Sequence, residues 1–316
     1  METGGPVVFS PIYQQRVWGG RMLTKKFGRE LPEAGVPFGE SWEIVDREEA
    51  QSVVVDGAYA GKSLNDLWTG ERDAVFGETA LQTERFPVLA KILDARDNLS
   101  LQVHPPPSVA GELEGEPKTE VWYIADADPG ACLYVGLENG VDRESFGRAL
   151  EDGSLADVIQ VLPVAAGDFI FIPSGRLHAI GAGLVIYEIQ QNSDTTYRVF
   201  DWNRVGLDGQ PRALHVEESL RCIDFGDHRP GLGVASGSVL VDCECFRLEK
   251  EQLGAGEEAH LVKGGKAALV TVVRGKLDCG TEEFGAGDFF LVPACAEKLA
   301  VRAGVGGSGF LVTYLP

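Results

Sequence analysis

One seven-residue phrase occurs twice in this chain. Gly167-Asp-Phe-Ile-Phe-Ile-Pro173 recurs as Gly287-Asp-Phe-Phe-Leu-Val-Pro293, each copy preceded by alanine. Glycine and aspartate mark a turn, the apolar run a short strand, and the proline a residue that cannot continue a sheet ladder. A repeated β unit narrows the fold to duplicated β modules, here placed at residues 1–230 and 236–316. The copies part after the proline: His178 follows the first, and the same offset in the second lands on Lys298. Only the first module is then expected to hold a ligand set. The second, with no His after His260, should fill its interior with side chains.

The ligand set itself is read from strand alternation. In Leu99-Ser-Leu-Gln-Val-His104, Gln102 and His104 fall on one face, Leu101 and Val103 on the other. In Lys118-Thr-Glu-Val-Trp-Tyr, Lys118, Glu120 and Trp122 share a face. Polar, ionisable groups facing each other inside an apolar sheet are costly unless they coordinate something. A lone His is ordinarily a hydrogen-bonded core residue. Gln102, His104, Glu120 and His178 together, at these spacings, instead predict a metal centre. Two imidazoles and two oxygen donors suit zinc and other borderline divalent ions, and one ion per chain, zinc, is expected.

The rest of the chain reads as mainly β with a few short helices. Glycine is abundant, at 40 residues, as turn-rich β proteins require. Strands are expected at 38–45, 52–55, 133–135 and from Asp168, Leu184 and Thr196, with a turn-like segment over 14–20. Ser63 is a candidate N-cap for a short helix carrying Leu64, Leu67 and Trp68. A longer helix is expected from Asp142 to about Leu162, with Phe146, Leu150, Val158 and Ile159 facing the core, and a short one over 215–222. Asp227 to Gly231 reads as a linker. Lys91, alone in the apolar run 86–93, would ordinarily reach the surface.

The formal net charge of -20 argues against nucleic-acid and anionic-membrane partners. An anionic ligand would need a local cluster of cations. The N-terminus has no basic-then-apolar leader pattern and no stretch is long enough to span a bilayer, so a cytoplasmic location is expected. The six cysteines include no C-x-x-C pair. Cys243-Glu-Cys245 places both thiols on one face of an expected strand, which favours packing over redox chemistry.

The spacing Gly167-x5-Pro173-x-Gly175-x2-His178 resembles the second motif of the cupin barrel, although Ala182 stands where that motif has Asn. Cupins carry His-x-His and then Glu in their first motif; this chain offers Gln102-x-His104 and then Glu120. Phe-Pro-Val-Leu-Ala-Lys91-Ile-Leu, Leu99-Ser-Leu-Gln-Val-His-Pro, Lys118-Thr-Glu-Val-Trp-Tyr and Gln190-Gln-Asn-Ser-Asp-Thr-Thr-Tyr-Arg-Val-Phe-Asp-Trp narrow the likeness. Together they resemble the type I mannose-6-phosphate isomerases in their short bacterial form, over essentially the whole chain. The resemblance implies two cupin-type, jelly-roll-like β-barrel modules. It implies zinc-dependent interconversion of mannose 6-phosphate and fructose 6-phosphate. It also implies that Gln102, His104, Glu120 and His178 are the zinc ligands and Arg198 the active-site arginine.

Aldose–ketose isomerisation through a cis-enediol needs a base, an oxyanion stabiliser and a grip on the phosphate. Arg198, permanently charged and forked, suits the oxyanion. Lys118 and Ser100 are candidates for the phosphate end. Lys91, Glu188 and Asp194 are all candidates for the base. Trp42, Tyr187 and Trp202 are candidate floors for a sugar. Two other readings keep the site and change its use: a sugar-phosphate-binding cupin without turnover, and an isomerase of another phosphorylated aldose.

Overall fold

The computed structural model describes residues 4–316; residues 1–3 of the N-terminal segment read above lie outside them. The fold is mainly β with a few short helices, and its strands fall into two pairs of sheets and one small ribbon, Asp46–Arg47 with Ala50–Gln51. The first pair has a six-stranded sheet in the order Ile12–Gly20, Phe38–Ile44, Val88–Ala95, Leu184–Gln191, Glu120–Ala127, Phe169–Ile172. Its partner is five-stranded: Tyr197–Phe200, Leu101–Val103, His178–Ile180, Cys132–Leu137, Ile159–Pro163. Strands from Val239 to Tyr314 form a second pair of five and four strands. The two halves are stitched together by an antiparallel bridge between Val7 and Leu291.

Apolar contacts stack these sheets in layers. Leu93, Trp122, Ile124, Ile170 and Ile186 pack from the six-stranded sheet onto Leu133, Val135 and Ile180 of its partner. The opposite face of the same sheet, with Ala90, Ile92, Val121, Tyr123 and Tyr187, packs onto Leu248, Leu269, Phe289 and Leu311 of the second half. Side chains including Val270, Leu277, Phe290, Val301 and Phe310 fill the space between the sheets of that half. The helices Arg143–Asp152 and Val216–Cys222 contribute Phe146, Ala149 and Cys222 to the outer cover of the five-stranded sheet.

The repeated phrase forms the same structure twice. Gly167 (φ 97°) and Gly287 (φ 91°) take a backbone conformation that favours glycine. Asp168 Oδ2 accepts from the Ala165 amide at 2.8 Å, and Asp288 Oδ2 from the Gly285 amide at 2.7 Å. Each turn then feeds the terminal strand of a sheet, Phe169–Ile172 in one half and Phe289–Val292 in the other. After the second proline a 3₁₀ turn, Ala294–Ala296, intervenes, and Lys298 is exposed.

Several expectations are corrected. Residues 14–20 are not a turn but most of the strand Ile12–Gly20. Their glycines serve close approach, since a Cβ on Gly19 would lie 2.4 Å from the Gly39 nitrogen. The helix begun at Arg143 ends at Asp152, because Gly153 closes it at φ 83°, and Ile159 starts a strand instead. Residues 52–55 make only isolated bridges. Asp227 to Gly231 is no free linker: Asp227 takes two hydrogen bonds from Arg176, at 2.7 and 2.8 Å. Cys243 and Cys245 lie in the turn between Val239–Asp242 and Arg247–Leu253, not in a strand. Lys91 is buried, because both faces of its sheet are covered.

One buried acid sits where the layers meet. Glu43 accepts from Ser41 Oγ at 2.6 Å and from Arg29 at 3.3 Å, and Arg29 also donates to the Gly287 carbonyl at 2.6 Å. Burial pushes the Glu43 carboxyl up to about 7 despite Arg29. The folded protein therefore binds a proton that the unfolded chain has released, and stability falls as pH rises from about 4.5 to 7. The effect of this group is on the order of 3 kcal/mol. Urea unfolding of Glu43→Gln should show a flatter dependence on pH across that window than the parent protein. An unchanged slope would remove Glu43 as its source.

Candidate active site

The cleft lies between the two sheets of the first half, at the ends of strands that bring polar residues inward. It has a volume of about 610 Å³, and Lys91, Gln102, Lys118, Glu188, Arg198 and Arg212 are among its lining residues. At its floor, strand pairing sets His178 opposite Gln102, and Gln102 opposite Arg198. Glu120 opens the facing strand. The Glu120 carboxylate lies 3.6 Å from His104 Nε2 through one oxygen and 3.6 Å from His178 Nε2 through the other. The Gln102 amide nitrogen is 3.3 Å from His178 Nε2.

Both imidazoles are fixed from behind. His104 Nδ1–H donates to the Thr195 carbonyl and His178 Nδ1–H to the Arg176 carbonyl, each at 2.8 Å. That choice of tautomer leaves both Nε2 lone pairs facing Glu120. Burial holds His178 neutral, at about 3, and lowers His104 as well. The Lys118 ammonium keeps Glu120 ionised well below the usual carboxylate range against its burial. His104 Nε2 and Glu120 Oε1 are buried without a hydrogen-bond partner, and Glu120 Oε2 has only the Lys118 ammonium beside it. Orphaned donors of this kind, converging from different strands, fit a divalent metal ion. Among the described residues no other group of three His, Cys, Asp or Glu side chains is gathered in this way.

Charged side chains surround this floor in alternation. Lys118 Nζ lies 3.1 Å from Glu120, whose attraction raises the Lys118 ammonium above its usual range although burial opposes it. Lys91 Nζ stands 3.5 Å from Glu188 and 4.0 Å from Glu40, over the ring of Trp42. Trp122 Nε1 donates to Glu188 at 2.9 Å. Glu188 is not on a solvated face: it is buried, and burial together with the Glu120 charge raises its carboxyl. Asp194 also lines the cleft, from an exposed position.

A second cationic group lies toward the five-stranded sheet. Arg198 Nε is 3.3 Å from Ser100 Oγ, and Ser100 donates to Gln102 at 3.1 Å. Arg204 and Arg212 share the single carboxylate of Asp201. Burial and the positive charges of Arg212 and Arg204 lower the Arg198 guanidinium. Arg204 also reaches Asp97, at 3.6 Å, and Asp208 lines the cleft with Arg212. Arg198 is the arginine of this group whose side chain has no carboxylate within 4.0 Å, which leaves it available to an anionic ligand among the described residues.

The model for the type I phosphomannose isomerase catalytic domain matches residues 7–120. The mannose-6-phosphate isomerase of Streptococcus mutans is 36% identical over 297 residues, covering 91% of this chain and 92% of that one. The probable mannose-6-phosphate isomerase GmuF of Bacillus subtilis is 38% identical over 325 residues, covering 98% and 99%. The chain belongs to the type I phosphomannose isomerase family. The crystal structure of the Bacillus subtilis mannose 6-phosphate isomerase superposes with a TM-score of 0.85 at 29% identity, covering 98% of this chain and all of that one. At 22% identity, the structure of a putative mannosephosphate isomerase from Archaeoglobus fulgidus shares the fold, with a TM-score of 0.82.

In this family member the fold gathers every residue singled out for the site, but the aromatic floor is different. Trp18 lines the cleft. Trp42 is buried beneath Lys91, and Tyr187 packs on Phe27 and Phe289 across the far face of the sheet. Trp202 donates to the Leu99 carbonyl at 2.6 Å. Sequence reasoning missed Glu40, to which Arg16 donates at 2.9 and 3.2 Å, and it missed Arg212. Alternation in Phe-Gly-Glu-Ser-Trp-Glu was the available signal for Glu40, since Glu40 and Trp42 share a face. Much of the 190–195 segment is scaffolding. Asn192 donates to the Asp46 and Phe86 carbonyls, at 2.6 and 2.8 Å, which secures the loop that presents Thr195 to His104.

Lys91 is the only cation within 4.0 Å of Glu188 among the described residues. Lys91→Met should therefore destabilise the protein by about 3–5 kcal/mol, because a buried carboxylate loses its countercharge. Glu188→Gln in the same chain should restore part of that loss. Chemical unfolding of the single and double variants measures both, and strictly additive losses would dissolve the pair.

Proposed function

We propose that this protein interconverts mannose 6-phosphate and fructose 6-phosphate, with one zinc ion per chain held by Gln102, His104, Glu120 and His178. The observation that carries the reading is the set of orphaned, buried Nε2 and carboxylate donors at the floor of a cleft that also contains Arg198. When bound, the ion supplies Lewis acidity toward the sugar oxygens at C1 and C2. Gln102 would present its carboxamide oxygen to the ion after rotation of the amide.

The remaining work falls to the chain's own residues. Isomerisation moves a proton between C1 and C2 through a cis-enediol, and negative charge grows on oxygen as the proton leaves carbon. Arg198 stabilises that charge, because its planar fork stays protonated. Lys118, held on Glu120, is placed to contact a sugar oxygen near the floor. The phosphate is drawn to the arginines around Asp201, with Ser100 as a neutral donor beside Arg198. Glu188 is the favoured base of the three candidates. Its raised carboxyl matches what proton abstraction near neutral pH requires. Lys91 neutralises it between turns, and Asp194 stands at the cleft's open side. The strands from Val239 onward are proposed to form a second module without metal, whose part is to back the catalytic sheet. The absence of a membrane-spanning helix among the described residues is compatible with a cytoplasmic sugar-phosphate enzyme.

A coupled isomerase assay on purified protein, run with and without chelator across hexose and pentose phosphates, tests the reading. Turnover of mannose 6-phosphate that vanishes with chelator and returns with zinc is expected. Preference for another phosphorylated aldose would move the substrate, and binding without turnover would leave a sugar-phosphate-binding protein. Arg198→Ala should lower kcat by about 10² or more, whereas Arg212→Ala should chiefly raise KM. His104→Ala and His178→Ala should lose the ion by elemental analysis while circular dichroism shows an intact fold.

A further inference from the structure

The turn that delivers His178 is seated on a segment outside the cleft. That segment, Asp224 to Pro230, follows the helix Val216–Cys222, and none of its residues lines the cleft. The Asp224 amide donates to the Gly175 carbonyl at 2.9 Å. Leu137 donates to the Asp227 carbonyl at 3.0 Å, and the Arg229 amide donates back to the Leu137 carbonyl at 2.9 Å. Leu137 ends the strand Cys132–Leu137, which pairs with His178–Ile180. Gly136 permits the approach, since a Cβ there would lie 2.4 Å from Pro230 Cδ. From this seat Asp227 meets Arg176 at two points. Its Oδ2 accepts from Arg176 Nε at 2.7 Å and its Oδ1 from Nη2 at 2.8 Å, while Nη1 donates to the Phe171 carbonyl at 2.7 Å.

A guanidinium held by a carboxylate fork on one side and a carbonyl on the other has a single orientation. Arg176 is also the residue whose own carbonyl accepts the His178 Nδ1–H at 2.8 Å. That bond turns Nε2 toward Glu120, 3.6 Å away. Backbone bonds fix the approach to the turn, from the Gly175 amide to the His104 carbonyl at 2.9 Å and from the Arg176 amide to the Pro173 carbonyl at 3.1 Å. Beyond them the Arg176 carbonyl takes its direction from a residue anchored through its side chain. His104 has a separate support. Its ring donates to the Thr195 carbonyl, in a loop where the Thr195 amide donates to Ser193 Oγ at 3.2 Å and Ser193 Oγ to the Glu116 carbonyl at 3.1 Å. Asp227 takes no part in that loop.

We propose that Asp227 is a positioning residue for the metal floor: it clamps Arg176, and through the Arg176 carbonyl it holds the His178 ring in the tautomer and orientation that ligation needs. The inference rests on the reading of His178 as a metal ligand. Outer partners of a ligating histidine are worth about 10- to 100-fold in metal affinity. Asp227 acts through one side chain and one backbone carbonyl, so the lower end of that range is expected. It touches neither the sugar phosphate nor the ion.

The test measures zinc dissociation constants by competition with a chromophoric chelator, on protein first freed of metal. Asp227→Ala should bind zinc about 10-fold more weakly than the parent, and Asp227→Glu, which keeps a carboxylate, should recover most of the loss. Glu138→Ala breaks another ion pair of the same segment, with Arg229 at 2.7 Å, and should leave the affinity unchanged. A second readout needs no metal. In histidine-labelled protein, NMR should show the His178 Nδ1–H exchanging faster with water in Asp227→Ala while the His104 Nδ1–H keeps its parent rate. Should Asp227→Ala fail to fold, Asp227→Asn, which keeps the shape and loses the charge and one acceptor, carries the same measurements. Parent-like zinc affinity in the variant would overturn the proposal, as would equal acceleration of exchange at both rings, which is general loosening. Failure of the ligand reading would look different: the parent itself would bind no zinc, while exchange at His178 alone would still respond to Asp227.

Discussion

The structure depends on one sheet that has no face toward water. The six-stranded sheet is covered on one side by its five-stranded partner and on the other by the second half of the chain. Two-sided burial explains the near-continuous apolar reading of Val88–Ala95, every residue of which is buried. It also explains why the charges it carries inward must answer one another. Arg16, Glu40, Lys91 and Glu188 follow in a line of opposite signs, and Lys118 with Glu120 forms a second, shorter pair. Arg16 keeps contact with water at the end of the line, but Lys91, Glu188, Lys118 and Glu120 are buried, so they are held by mutual need.

Such a frame suits chemistry in which charge develops on a sugar oxygen. Groups already fixed by buried partners need little reorganisation when that charge appears. His104 and His178 illustrate the principle at the floor, where a backbone carbonyl behind each ring sets the nitrogen that faces the cleft. Arg198 illustrates it at the wall, where Ser100 and the Ala213 carbonyl receive its donors. The neighbouring Arg204 and Arg212 are held in turn by Asp201.

How much of this was legible in the sequence follows from which interactions are local. Alternation placed Gln102 and His104 on one face and Leu101 and Val103 on the other, because one side of that sheet packs on helices and the other looks into the cleft. The repeated Gly-Asp-Phe turn was legible because its hydrogen bonds close within a few residues. Lys91 was legible as a candidate for the site but not as buried, because the groups that hold it, Glu40 and Glu188, come from two other strands of the sheet. The Gln14–Gly20 strand was hidden by paired glycines whose purpose, passage against Gly39, shows only when the partner strand is present. Gly153 could have ended the 143–152 helix on paper, since a glycine after a run of helix formers is a common stop.

The two faces of the central sheet have a consequence for how the chain can vary. Tyr187 looks toward the second half and Glu188 toward the cleft, so neighbours in sequence answer to different cores. A change of volume at Phe289, which packs on Tyr187, is transmitted through the backbone of a single strand to a carboxylate in the catalytic cleft. The second half therefore helps set the shape of a site it never touches, through the strand that both cores share.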